Sequence, residues 1–215
     1  MLTDGAAAGP FEDGLAADDR GDYATAARLY RLAAEQDAAE AGDLYGDGLA
    51  ADDRGDYATA ARLYRLAAEQ GLAEAQNNLG ALYGDGKGVP QNYTEAVKWY
   101  RLAAEQGVAE AQNNLGDLYG DGKGVPQDWT EAVKWYRLAA EEGAANAQDN
   151  LGRMYALGAG VPQDYVQAHM WFNLAASKSS RIRDMAISDR EAVASKMTPE
   201  QLAEAQRLAR EWQPK

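Results

Sequence analysis

The chain contains no cysteine and a single histidine, His169, in 215 residues. Without cysteine there can be no disulfide framework, thiolate metal site or cysteine nucleophile. One histidine alone cannot assemble the usual zinc ligand sets. No serine–histidine pair with a third orienting group stands out, so the expectation is no catalytic, cofactor or metal residues. Basic residues are outnumbered, with 21 Lys and Arg against 34 Asp and Glu and a net charge of -13. That argues against nucleic acid as a partner, because phosphate binding needs a clustered basic face. No apolar run approaches the roughly 20 residues that cross a bilayer, so no membrane span is expected. The opening MLTDGAAAGPF lacks the basic and long apolar regions of a signal peptide. The literal reading is cytoplasmic, with a periplasmic or secreted location left open if a signal was removed.

Alanine, leucine and glutamate dominate, β-branched residues are scarce, and the many glycines are regularly placed. This is helical composition with periodic turns. Self-comparison explains the regularity. GLAADDRGDYATAARLYRLAAEQ begins at Gly14 and recurs unchanged at Gly48, a period of 34. Further on the period becomes 36, marked by Gly80, Gly116 and Gly152, by Pro90, Pro126 and Pro162, and by Trp99, Trp135 and Trp171. Five units fit, at about residues 11–36, 37–70, 71–106, 107–142 and 143–178. Residues 1–10 read as a flexible N-terminus and 179–215 as capping helices.

Each unit reads as two helices. In the second, Tyr93, Ala96, Val97, Tyr100, Ala103 and Ala104 form a continuous apolar stripe, and Trp99 with Leu102 adds a second face to be sandwiched. Asp22, Asp56, Asn92, Asp128 and Asp164 stand at its N-cap. Glu95, Glu131 and Gln167, three residues on, would close capping boxes. Gly71, Gly107 and Gly143 follow its end, where a left-handed residue is needed. The first helix carries Ala75, Leu79, Leu82 and Tyr83 inward. Gly80, Gly116 and Gly152 lie in its middle, where glycine costs about 1 kcal/mol and is explained by close helix crossing. Unit two is shorter: AEAGDLYGDG equals AEAQNNLGDLYGDG of unit four without QNNL. Four residues are close to one turn, so a helix is expected to resume from Leu44 to Arg54.

The segment AEAQNNLGALYGDGKGVPQNYTEAVKWYRLAAEQG resembles a Sel-1-like repeat, a relative of the tetratricopeptide repeat. The likeness is nearly word for word over residues 71–178. The first two units resemble plain tetratricopeptide repeats, and the tail DYVQAHMWFNLAAS…MTPEQLAEAQRLAREW resembles the C-terminal end of bacterial members. The fold class implied is all-α, a right-handed α/α solenoid of helix-turn-helix repeats. In the tail, Ile182, Met185, Ala186 and Val193 would face inward from a helix over 181–195. A last helix, capped by Thr198 and boxed by Gln201, would cover the stack with Leu202, Ala205, Ala209 and Trp212.

Several motifs invite sharper readings and lose to plainer ones. GDGKGVPQ at Gly84 and Gly120 lacks the Ser or Thr after lysine, and the preceding strand, that a phosphate loop needs. Asp85 is its only carboxylate, too few for a calcium loop. The Arg-Gly-Asp tripeptides at 20–22 and 54–56 end in aspartates already used as caps. His169 takes the packing position of Val97 and Val133.

In tetratricopeptide-like solenoids the first helices line the concave face, which directs attention to their polar residues. These are Asn77 with Asn78, Asn113 with Asn114, and Asp149 with Asn150. One residue of each pair should point into the groove, where an amide can grip a peptide backbone or carboxylate. The plainer alternative is that the pairs bridge neighbouring helices. Asp117 and Arg153 replace Ala81 and tune charge on the same face, while Tyr83, Tyr119 and Tyr155 could edge it. The resemblance implies an adaptor for a protein or peptide ligand, as a monomer or weak homo-oligomer. Cysteine-rich relatives linked to β-lactam binding or hydrolysis supply a weaker alternative, since their cysteines are absent here. A purely structural spacer is the third.

Overall fold

The five N-cap residues seen in the sequence are where the second helices begin. In a computed structural model describing residues 9–20, 22–177 and 182–214, Asn92, Asp128 and Asp164 each accept two backbone N–H groups from the first turn. Asp22 and Asp56 accept one each, from Thr25 and Thr59, both at 3.2 Å. The expected capping boxes at Glu95, Glu131 and Gln167 do not close. The N–H groups of Asn92, Asp128 and Asp164 already donate to the carbonyls of Tyr83, Tyr119 and Tyr155 at 2.9 Å, so no orphan donor remains for the third residue. Glu95 and Glu131 turn instead to Lys98 and Lys134. The box at Thr198 and Gln201 does form.

Eleven helices and no strands are found among the described residues: α1 (Pro10–Asp19), α2 (Tyr23–Asp53), α3 (Tyr57–Glu69), α4 (Ala73–Asp85), α5 (Tyr93–Glu105), α6 (Ala109–Asp121), α7 (Trp129–Glu141), α8 (Ala145–Leu157), α9 (Tyr165–Ala176), α10 (Arg183–Ala194) and α11 (Pro199–Glu211). Each of α1 to α10 packs on its neighbour in the chain and α11 on α9, so the repeat pairs stack in order as an α/α solenoid. The mid-helix glycines are the close crossings: a Cβ on Gly80, Gly116 or Gly152 would stand 2.6–2.8 Å from the ring of Tyr100, Tyr136 or Phe172. Gly71, Gly107 and Gly143 are left-handed, with φ of 93°, 90° and 90°, and turn the chain from one repeat into the next.

Unit two departs from this plan. Asp37 occupies the place of the turn glycine, and α2 runs for 31 residues straight through the expected division at 36–37, about 46 Å at 1.5 Å per residue. Residues 44–53 are helical as expected, with Arg54 as the C-cap, but nothing interrupts the helix before them. Gly14 of α1 abuts Tyr30 and Gly48 abuts Tyr64 of α3. Tyr30 and Gly48 are eighteen residues apart, about five full turns, so α1 and α3 lie along the same side of α2.

At the other end α10 and α11 close over α9. Ala186, Val193, Ala205 and Ala209 are buried, and Trp212 meets Trp171 edge-on at 6.3 Å. Met185 does not turn inward; it is exposed because it lies about 100° around the helix from Ala186, which with Val193 marks the face that α10 buries. Arg181 lies outside the described residues, as do residues 1–8 of the expected flexible N-terminus. The second apolar face also splits: Trp99 is buried, whereas Leu102 stays exposed, together with Leu66 and Leu138. His169 is buried among packing residues, and burial lowers its pKa.

Candidate functional site

First helices α4, α6 and α8 present the polar pairs at successive turns of the stack. The first member of each is enclosed: Asn77, Asn113 and Asp149 are 5%, 8% and 2% exposed. The second members, Asn78, Asn114 and Asn150, are half-buried. The pairs also bridge helices. Asn78 Nδ2 donates to the Tyr45 hydroxyl of α2 at 3.4 Å. Asn150 Nδ2 donates to Asn113 Oδ1 at 3.0 Å and Asp117 Oδ1 at 3.1 Å, tying α8 to α6. Asp117 further accepts from the Tyr136 hydroxyl at 2.7 Å and from Asn113. Burial raises the Asp117 pKa, against which these donors act.

Asp149 and Arg153 form a second knot. Arg153 meets Asp149 Oδ2 at 3.0 Å and Asp189 of α10 at 2.9 Å, so it ties the last repeat to the cap. Burial pushes the Asp149 carboxyl up to about 6, with Arg153 opposing and Asp189 adding to the rise. Tyr83 and Tyr119 turn to the preceding second helix. Their hydroxyls accept from Arg65 and Arg101, whose guanidinium carbons stand 5.8 and 5.9 Å from the ring centres. Tyr155 accepts from Arg137 at 2.9 Å in the same way.

What the face offers a ligand is a recurring cavity. In one repeat it is lined by Tyr57, Asn78, Leu82, Asp85 and Lys87, with Asp52 and Ala81, and has a volume near 260 Å³. One repeat on, Tyr93, Asn114, Leu118, Asp121 and Lys123 line its counterpart of about 390 Å³, with Asp85, Asp117 and Tyr100. Each lysine pairs with its own loop aspartate at 2.8 Å and lies 5.7 Å from the tyrosine ring centre. With Asp85 and Asp121 so paired, the carboxylates of Asp52 and Asp117 leave the face acidic. In the next repeat Leu157 and Ala159 replace the aspartate and lysine, so the motif stops there.

Sequence reasoning set the GDGK loop aside as a turn and missed that its aspartate and lysine border the cavities. It also passed over Gln76, Gln112 and Gln148. These are buried and donate to the carbonyls of Ala68, Ala104 and Ala140 at 3.1–3.2 Å, stapling each repeat to the one before. Their period of 36 was the available signal. No group of three metal-ligating side chains occurs among the described residues, and no helix there is long and apolar enough to cross a membrane.

The Sel1 repeat model matches residues 11–37, 38–72, 73–108, 109–143 and 145–180, and the chain belongs to the Sel1 repeat family. Among solved structures it is similar to a protective antigen of uropathogenic Escherichia coli strains that displays an SLR fold. The identity is 34% and the TM-score 0.75, over 94% of this chain and 44% of that one. The chain thus spans less than half of the antigen's length. It is also similar to a Sel1 repeat protein from Oxalobacter formigenes, at 30% identity and a TM-score of 0.62, over 88% of this chain and 86% of the other. No curated protein matches the chain. Repeats of this family are scaffolds that typically mediate protein interactions.

Proposed function

We propose that the protein is a non-enzymatic scaffold that seats an extended, basic segment of another protein across the face of its first helices. The observation that carries this reading is the duplicated cavity, Tyr57–Asn78–Leu82–Asp85–Lys87 followed by Tyr93–Asn114–Leu118–Asp121–Lys123. The two cavities lie one repeat apart, on the successive first helices α4 and α6, so an extended ligand crossing that face can meet them in turn. Asn78 and Asn114 offer amides to the ligand backbone, the tyrosines offer ring surface, and the carboxylates favour lysine or arginine. The enclosed partners Asn77, Asn113 and Asp149 hold the stack.

The test is a set of extended peptide panels with basic residues recurring at every second, third, fourth or fifth position, with acidic and scrambled panels beside them, titrated by fluorescence anisotropy. Binding of a basic panel that weakens with salt and is lost in an Asp85→Asn/Asp121→Asn variant supports the reading. Equal affinity for all panels, or binding indifferent to that variant, sinks it.

A further inference from the structure

Residues 14–36 and 48–70 are one sequence in two settings. In the second setting α4 and its loop lie on α3. Lys87 places its ammonium 5.7 Å from the centre of the Tyr57 ring. Gly88 sits so close to the Tyr57 carbonyl that a Cβ would stand 2.2 Å from it. Beneath this cover Ala61, Tyr64 and Ala68 are 3%, 0% and 2% exposed. In the first setting Ala27 and Ala34 are exposed, Tyr30 is only half-buried, and Tyr23 is 72% exposed. Tyr23, Ala27, Tyr30 and Ala34 are spaced four, three and four residues apart, one stripe of a helix.

The first half of α2 therefore carries the surface that α4 covers on α3, and α2 continues where a covering helix would have turned back. The first helices α4, α6 and α8 are each committed to α3, α5 and α7.

We propose that the stripe Tyr23–Ala27–Tyr30–Ala34 docks the first helix of a Sel1-type repeat carried by another chain, together with the Gly-Lys-Gly turn that follows it. The occupant's chemistry is written in the cover of the identical residues. It is a helix with an Ala and Leu stripe, as Ala75, Leu79 and Leu82 provide in α4, then a tight glycine turn that brings a lysine over Tyr23. A second copy of this chain does not meet that description, because its own lysine-bearing loops are closed on Tyr57 and Tyr93.

The experiment titrates the full protein into a fluorescein-labelled synthetic peptide of residues 72–89, with a scrambled peptide beside it, and light scattering of the protein alone in parallel. Ala27→Glu and Ala34→Glu alter exposed positions, and an unchanged urea midpoint confirms folding. Saturable binding is expected, weakened more than about tenfold by either variant because a carboxylate would be buried under the peptide. Lys87→Glu in the peptide should weaken it about two- to fivefold through the lost cation–π contact. The proposal is overturned by equal affinity for native protein and Ala34→Glu, since the peptide would then be displacing α4 from α3. Equal binding of the scrambled peptide, or no saturation up to millimolar concentrations, overturns it too. So does a native dimer that Ala34→Glu dissociates, which would make a second copy the occupant.

Discussion

Gly14–Gln36 and Gly48–Gln70 share every residue, and the features they share in space are the ones decided within a few residues. Asp22 and Asp56 cap with the same bond to the third residue on. Gly14 and Gly48 take the rings of Tyr30 and Tyr64 at the same 2.7 Å. What differs is everything decided by the next helix. Tyr64 is fully enclosed and Tyr30 is not, and Ala68 is buried where Ala34 is exposed. Local chemistry builds the helix pair, and a neighbour supplied from elsewhere in the chain makes it part of a core.

That contrast is open to direct attack. The largest difference should come from placing a charge at matched positions. Ala68→Glu buries a carboxylate beneath α4 and is expected to cost about 3–5 kcal/mol, whereas Ala34→Glu should stay within about 0.5 kcal/mol, both read from urea unfolding. Nearly as large is truncation of the paired rings. Tyr64→Ala is expected to cost about 3 kcal/mol and Tyr30→Ala about 1 kcal/mol in thermal melts; equal costs would mean the two settings are alike in solution.

The converse experiment holds the setting and changes the residue. Asn77, Asn113 and Asp149 occupy one repeat position, all buried, and the third carries a charge. Its folded-state pKa, about 6, lies above the ordinary value of 3.8, so the folded state binds the proton more tightly. Stability from this group is fully present below about pH 4 and is lost as pH rises through about 6. Relative to Asp149→Asn, the native protein should lose up to about 2–3 kcal/mol between pH 4 and pH 7, seen as a slope in urea midpoints that the variant lacks. The smallest effect should be the most symmetric. Asp22→Ala and Asp56→Ala remove the same cap, and both carboxyls are held below their ordinary pKa by Thr25 and Thr59. Amide exchange in the first turns of α2 and α3 should quicken equally. In the native protein that protection is present above about pH 4 and fades as pH falls below it.

The sequence made legible what repeats and what is local: the period, the caps, the left-handed glycines and the close crossings at Gly80, Gly116 and Gly152. It misled where a group had two claimants. Glu95 fits a capping box by spacing, but the N–H it would satisfy is taken by Tyr83, contacted across a loop. At unit two the reading followed the apolar face through the missing QNNL and overlooked that Asp37 stands where a turn glycine belongs. At the site, the asparagine pairs were visible, but which member is enclosed depends on how α6 meets α8, and the GDGK loop gains meaning only when Tyr57 and Tyr93 are seen beside it.

The unbroken passage of α2 through residue 37 also sets how the molecule comes apart. In a stack of repeats, stability is a sum of unit terms and nearest-neighbour contacts, and a melted unit strips its neighbour of a face. At residue 37 the neighbours share a backbone rod and no such face, so a boundary between folded and melted chain can sit there at little free-energy cost. α1 and the first half of α2 can then fray together, stopping at α2's midpoint, while the cover on α3 and every junction after it stays closed. Heating should therefore reveal two transitions, the first of them confined to the end that carries the open stripe.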